Sequence, residues 1–490
     1  MNTKTNGSIQ HQVSDSFLHK KVYFSIAFSF FLFQSTIGFL WAISGSAEGI
    51  LLAASGLAMV IIYMPFYLNI IKPDPFNPLA LASFALLLGT GLRVPYVIFT
   101  ENHSRAEFLF FGQSINDVLA ASGLILLGIA AFTIGYCSTI KRFDFSSILK
   151  LKNYHFSKTK LLFYSSAFGI LGFISALLFL HYSGISLSDG LEVSSRKIFF
   201  TYELSSGELA QGAGGHLRFL VNTSVIAFVT ILCLILIRHI KINYYTILLL
   251  LFLMVPSILV PFISSSRSDI ALLVISVFIF LHYYGKLKKS VFIAGFASMV
   301  IIITIMGEIR SANMAGVEIR ETPIDAIVGS GNGLDFIRTA GIIYSVPNVT
   351  DYMYGKTYSY ILTFFIPRSM WPEKPNVALG PWIKEVVFGE PVPGNNGWPS
   401  GTIAEAYLNF GAIGIPIIMF LYGVLCRIFY NSFYKELGKN IALTILYSYV
   451  IWRFGVSMFG LNISHGLSQT IILGLPMVVF LYLSKAKTYG

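Results

Sequence analysis

The stretch ILVPFISSSRSDIALLVIS (258–276) sets a single arginine, Arg267, in a serine-flanked joint between two strongly apolar runs. Glu405 stands in SGTIAEAYLNFG with Asn409 one helical turn further on, and His465 stands in LNISHGLSQT. Arg196, Arg310, Arg320, Arg338 and Arg368 fall in two long polar segments, with His216 and Arg218 at the edge of the first. Arg93 and Arg453 lie inside apolar runs, where an ionisable side chain is costly and is a functional candidate by default. A guanidinium's planar fork matches phosphate oxygens and keeps its charge at any relevant pH. A carboxylate or an imidazole can take the proton of an attacking hydroxyl. Together these residue types suit group transfer from a phosphate-activated donor. The arginines would stabilise negative charge on the leaving group, and Glu405 or His465 would accept the proton. No His/Cys/Asp cluster has metal-ligand spacing, so no metal is implied. No strand, glycine-rich turn and lysine motif is present, so neither a nucleotide nor another cofactor is expected.

The elements that must position these residues are membrane helices. The chain of 490 residues is 55% hydrophobic and 12% charged, with mean hydropathy +0.71, against roughly 25% charged residues in soluble domains. Apolar runs long enough to cross about 30 Å of hydrocarbon recur throughout. Twelve spans are expected, at 22–44, 49–71, 78–100, 117–138, 161–182, 217–238, 244–263, 270–284, 291–309, 401–426, 441–460 and 467–484. The fold class is therefore all-α: a polytopic membrane protein read as one membrane domain, 1–490. Lysine and arginine bias, strongest in KLKK (286–289) and KAK (485–487), puts both termini inside. The net charge of +11 is then a topology signal with attraction to anionic lipid, and no nucleic-acid partner is expected. Cys137, Cys233 and Cys426 fall at inner span ends, so no disulfide framework is expected. Residues 1–21 are polar and precede a full-length span, so no cleavable signal peptide is expected.

Two outer loops are long: the third, at 183–216, and the fifth, at 310–400. Loops of this length in a compact fold are functional or disordered. The fifth carries apolar residues at helical intervals in IDAIVGSGNGLDFIRTAGIIYSV and KTYSYILTFFIP, which fits helices lying along the outer membrane face. Arg267 then sits on the side that usually avoids cations, and a polyprenyl diphosphate bearing a sugar would explain it. Each candidate has a structural alternative. Arg93 could snorkel to the outer headgroups, Glu405 could pair Arg453 to lock two helices, and His465 could be an ordinary interfacial histidine.

SSSRSD (264–269), FIPRSMWPEKPN (365–376) and PSGTIAEAYLNFGAIGIP (399–416) resemble motifs of the Wzy-type polymerases of O-antigen and capsule repeat units. The likeness spreads over roughly residues 180–470. An arginine-ten residues-glycine spacing fits as well, at Arg196 with Gly207 and Arg320 with Gly331. The fifth loop departs from a simple cationic trap, since it holds seven basic and eight acidic residues. The resemblance implies a membrane-embedded glycosyltransferase with a GT-C-like layout, in the bacterial inner membrane with its active site facing the periplasm. It would move a growing glycan from one undecaprenyl diphosphate onto a single lipid-linked repeat unit. Arg267 would be the first diphosphate ligand. Arg196, Arg320, Arg368, Arg310 and Arg453 would assist, with Glu405 as base, His465 as second choice, and Asn409 orienting sugar or carboxylate. Donor and acceptor glycolipids, the bilayer, a chain-length regulator and a flippase are the expected partners. An O-antigen ligase and a lipid-linked oligosaccharide flippase are the rival readings.

Overall fold

The computed structural model describes residues 21–100, 114–138, 151, 154–182, 201–203, 209–211, 214–264, 266–315, 324, 328, 335–366, 370–371, 373–389, 397–457 and 460–486. A helix lies on every apolar run. The first two are α1 (Lys21–Ala42) and α2 (Ala47–Tyr67). The third run is α3 (Pro78–Leu86), a π-helical turn at Leu87–Gly91, and α4 (Arg93–Thr100). Then come α5 (Ile115–Cys137), α6 (Lys158–Tyr182), α7 (Gly214–Leu236), α8 (Tyr244–Ile263), α9 (Arg267–Tyr283) and α10 (Lys289–Ala315). The segment expected as the fifth outer loop, 310–400, contributes α11 (Phe336–Ser345) and the single turn α12 (Lys356–Ser359). The chain closes with α13 (Thr402–Tyr434), α14 (Ile441–Ile451) continued by a π-helical stretch Trp452–Ser457, and α15 (Ile463–Ser484). Inside the third outer loop, β1 (Thr201–Glu203) pairs antiparallel with β2 (Leu209–Gln211), Thr201 opposite Gln211.

The chain is an all-α polytopic membrane protein with this one short hairpin among the described residues. Among the described residues, ten helices are long and apolar enough to cross a membrane by length and composition. The expected spans 270–284 and 441–460 carry the two shorter apolar helices, Ser268–Tyr283 and Ile441–Gly455. Helix starts follow local capping chemistry, in which a short polar side chain accepts a free amide of the first turn. Ser46, Asn77, Ser114 and Asn440 each do so, and Asn243 with Thr246 forms a reciprocal capping box.

At the inner end, Asp74 is buried in the turn after α2. It accepts hydrogen bonds from the hydroxyls of Tyr283 (2.9 Å) and Tyr430 (2.5 Å) and from the Phe76 amide (3.0 Å). Tyr447 donates to the Phe76 carbonyl at 2.6 Å, so α9, α13 and α14 are tied to one turn. At the outer end, Ile342, Val346, Leu379, Ile383, Val387, Phe388, Ala404 and Leu408 form a small separate core beside the start of α13. The expectation of helices lying on the membrane face is corrected for α11. Eight of its ten residues, Phe336 to Ile343, are buried, because it packs inward on α5 and α13.

Two glycines let α5 and α13 touch backbone to backbone. A Cβ at Gly423 would lie 2.2 Å from the Phe132 carbonyl oxygen, and one at Gly135 would lie 2.2 Å from that of Phe420. Small residues at such crossings are what allow helices to associate where lipid is already as apolar as leucine. Gly423→Val is therefore expected to force the pair apart at a cost of about 1–3 kcal/mol. A lowered thermal unfolding midpoint of the purified protein would register it, and an unchanged midpoint would show that the crossing tolerates a larger residue.

Candidate functional site

Three polar clusters lie where the sequence places the outer side. The first is built on the SSSRSD turn. Asp269, in the first turn of α9, accepts from Arg218 Nη2 of α7 at 2.7 Å and from the Ser266 hydroxyl at 2.7 Å. Its other oxygen accepts from Arg453 Nη2, in the π-helical stretch after α14, while Arg453 Nη1 reaches the Ser268 hydroxyl at 3.4 Å. A carboxylate at a helix N-terminus is favoured by the exposed amides there. One carboxylate against two guanidiniums leaves net positive charge, before Arg267 is counted. Arg453 Nε is buried with no hydrogen-bond partner among the described residues. A cavity of about 30 Å³, room for a water-sized group, lies between Arg218, Asn222, Val260, Pro261, Asp269 and Leu272.

The second cluster surrounds Glu405, which is 0% exposed. Its Oε1 accepts from Thr357 Oγ1 at 3.0 Å, Ser464 Oγ at 3.3 Å and Asn462 Nδ2 at 3.4 Å, and its Oε2 accepts from the Ile463 amide. The carboxylate thus stands in for a side-chain cap on α15, whose own N-cap Asn462 makes none. Asn409, one turn along α13, donates to Thr357 Oγ1 (2.7 Å) and to the Glu405 carbonyl (2.8 Å). Ser464 also donates to the Thr357 carbonyl at 2.8 Å. Thr357 opens the KTYSYILTFFIP stretch, so this cluster pins the fifth outer loop to two helices. The Lys374 ammonium closes that loop on itself by bonding the carbonyls of Phe364 (3.3 Å) and Ile366 (2.7 Å).

The third cluster is an ion-paired triad. Arg93 Nε meets Asp335 Oδ2 at 3.0 Å, Arg93 Nη1 bonds the Val328 carbonyl at 3.1 Å, and Arg338 Nη2 meets the same carboxylate at 3.3 Å. The Arg338 guanidinium and the Lys384 ammonium both lie over the Trp398 ring, at 5.3 and 5.5 Å. Burial alone would raise the Asp335 carboxyl. Arg93, Arg338 and the Arg338 amide outweigh it and hold the group below its ordinary 3.8.

The candidates distribute unevenly over these clusters. Asn409 and Glu405 come together, one turn apart, as expected. Arg453 does not pair Glu405; it pairs Asp269, a partner 184 residues away. Arg93 does not snorkel either: 3% exposed, it turns inward to Asp335. His465 sits in the first turn of α15, next in sequence to Ser464 of the second cluster, and α15 packs on the π-helical stretch that carries Arg453 of the first. Arg267 and Arg310 lie on α9 and α10 with side chains outside the described residues, while Arg196, Arg320 and Arg368 lie outside them altogether. Asp269, Asp335, Thr357, Asn462 and Ser464 were not foreseen. Asp269 alone had a signal, since it closes the quoted SSSRSD turn. Among the described residues no group of His, Cys, Asp and Glu could hold a metal ion.

Comparison with known proteins agrees in direction. A family described as "Domain of unknown function (DUF8712)" matches residues 338–458, which hold Arg338, Thr357, Glu405, Asn409 and Arg453. The chain is 26% identical over 203 residues to proteins named "O-antigen polymerase" in Salmonella typhimurium (strain LT2) and Salmonella typhi, covering 40% of this chain. It spans about half, 47%, of the length of those curated relatives. No solved structure matches it.

The Asp335 triad sets a pH dependence. A carboxyl held low in the folded state adds stability that is fully present above its unfolded value, near 3.8, and is lost as pH falls through the folded one. The unfolding midpoint is expected to drop on acidification below about pH 4. Asp335→Asn should lower stability at neutral pH by about 3–5 kcal/mol, because it strands buried guanidiniums. It should also flatten the acid limb. A variant with an unchanged acid limb would show that this carboxyl is not its source.

Proposed function

We propose that this chain joins lipid-linked oligosaccharide repeat units into a surface polysaccharide at the outer face of the bacterial inner membrane. The observation that carries the reading is the meeting of a net-positive, serine-flanked clamp with the first turn of α15, on a chain similar to O-antigen polymerases. Ten membrane-length helices and two shorter ones supply the bilayer setting, and a GT-C-like arrangement of twelve spans is part of the proposal.

The donor is a glycan on undecaprenyl diphosphate and the acceptor a single lipid-linked repeat unit. The bond between the anomeric carbon and the phosphate oxygen breaks, and an acceptor hydroxyl forms the new glycosidic bond. The electron pair leaves with the diphosphate, which is already a good leaving group. The protein's main task is therefore to stabilise its charge. Arg267 takes first place in that role, assisted by Arg453 and by Arg196, Arg310, Arg320 and Arg368 from the outer loops. The hydroxyl proton passes to a base. Glu405 is enclosed by four hydrogen bonds, so we assign it to positioning: it holds Thr357 and the α15 first turn. His465, on that turn, takes the proton. A flippase delivers the repeat units, and a chain-length regulator acts on the product.

Arg267→Ala is expected to cut polymerisation by roughly 100-fold or more, as loss of one oxyanion-stabilising donor does. Cells should then carry single-repeat surface glycans in place of a ladder. Total absence of surface glycan would point to a ligase instead. His465→Gln should abolish elongation, whereas Glu405→Gln, which keeps most of the acceptor geometry, should retain a measurable part and Glu405→Ala none. The opposite ranking returns the role of base to Glu405.

A further inference from the structure

Residues Met353–Lys356 form a tight turn, closed by the Lys356 amide donating to the Met353 carbonyl at 2.8 Å. Its two central residues both have positive φ, 45° at Tyr354 and 84° at Gly355, the pattern of a type I′ turn. Such turns select Asn-Gly or Gly-Gly, because a side chain beyond Asn crowds its own backbone there. A tyrosine in the first central position is unfavourable, and burial does not compensate: Tyr354 is 79% exposed. The turn is nevertheless held firmly. The Met353 amide donates to the Leu408 carbonyl at 2.8 Å, three residues before the helix is broken at Gly411 (φ 64°, ψ −156°). Thr357, the next residue but two after Tyr354, is the donor to Glu405 and the partner of Asn409. Behind the tip, the Tyr352 ring lies 6.4 Å from that of Tyr354 and 5.9 Å from that of Tyr407, both edge-on, and exposed Asp351 stands beside them.

We propose that Tyr354 is a sugar-stacking platform, held over the site by the Glu405–Thr357–Asn409 clasp, which receives a pyranose ring of the glycan. The inference rests on the polymerase reading and deepens it. A pyranose presents a face of axial C–H groups with slight positive charge, and a phenol ring presents a face of negative charge. Its equatorial hydroxyls point sideways, where the Asp351 carboxylate can accept them. A strained, rigid, outward-facing aromatic residue with an acidic neighbour meets both needs. The tip's immediate polar neighbours, Asp351 and Lys356, argue against a ring sunk in lipid. Exposed apolar residues lie on both sides of the turn, Val349 before it and Leu362 and Phe365 after it.

The test uses the full chain in lipid nanodiscs, with the oligosaccharide that mild acid releases from the host's own surface polysaccharide as probe. Tyr354→Asn keeps the turn, since Asn accepts this conformation, and removes the ring. It should bind the probe roughly threefold to tenfold more weakly, the size of one aromatic contact, while thermal stability is unchanged or raised. Surface ladders should shorten in cells carrying it. Tyr354→Trp should restore binding and change its emission when the probe is added. Undiminished binding by Tyr354→Asn overturns the platform. So does a Tyr354→Trp emission quenched by brominated phospholipid and indifferent to the probe, which would place the ring in the membrane interface. Cells lacking the whole chain yet keeping full-length glycan would overturn the polymerase reading, and the platform with it. A normal ladder with Tyr354→Asn alone overturns only the platform.

Discussion

A guanidinium buried near hydrocarbon costs several kcal/mol unless an anion meets it, and this constraint arranges the outer end of the protein. Asp269 answers it for Arg218 and Arg453, and Asp335 answers it for Arg93 and Arg338. Each carboxylate joins elements distant along the chain: α7, α9 and the end of α14 in one case, the third span and the fifth outer loop in the other. In both, two cations share one anion. The triad around Asp335 is closed off in the protein interior. The clamp around Asp269 is partly exposed and is bordered by a small cavity and by the turn bearing Arg267.

The second consequence is mechanical. Glu405 has no ion-pair partner among the described residues and instead gathers neutral donors from Thr357, Asn462, Ser464 and the Ile463 amide. That links the fifth outer loop to α13 and to the first turn of α15. The same helix packs on the π-helical stretch that carries Arg453, so the loop and the clamp share one support. Asp74 accepts from Tyr283 at the opposite end of α9, so that helix is tied to its neighbours at both ends.

The helical spans were legible because twenty apolar residues and a 3.6-residue period need no partner to declare themselves. The expected starts at 244 and 117 fall within a few positions of the caps Asn243 and Ser114. The two short spans were harder, since α9 and α14 carry fewer residues than a membrane crossing usually takes. At the site, Glu405 with Asn409 could be read from their one-turn spacing. Which acid met which arginine could not: Arg93 finds Asp335 242 residues away, and Arg453 prefers Asp269 to Glu405. Thr357 and Ser464 were invisible because a lone hydroxyl has no sequence signature. It acquires meaning only from the carboxylate it faces. The positive φ at Tyr354 is equally a property of the fold, set by a carbonyl that the kink at Gly411 leaves available.

The account comes down to whether this protein alone can lengthen a lipid-linked glycan. Purified chain in nanodiscs, given the host's undecaprenyl-diphosphate-linked repeat unit and no nucleotide, should produce a ladder of longer lipid-linked glycans and release undecaprenyl diphosphate. Absence of any elongation, together with passage of the same glycolipid across a sealed vesicle membrane, would contradict it and make the protein a transporter.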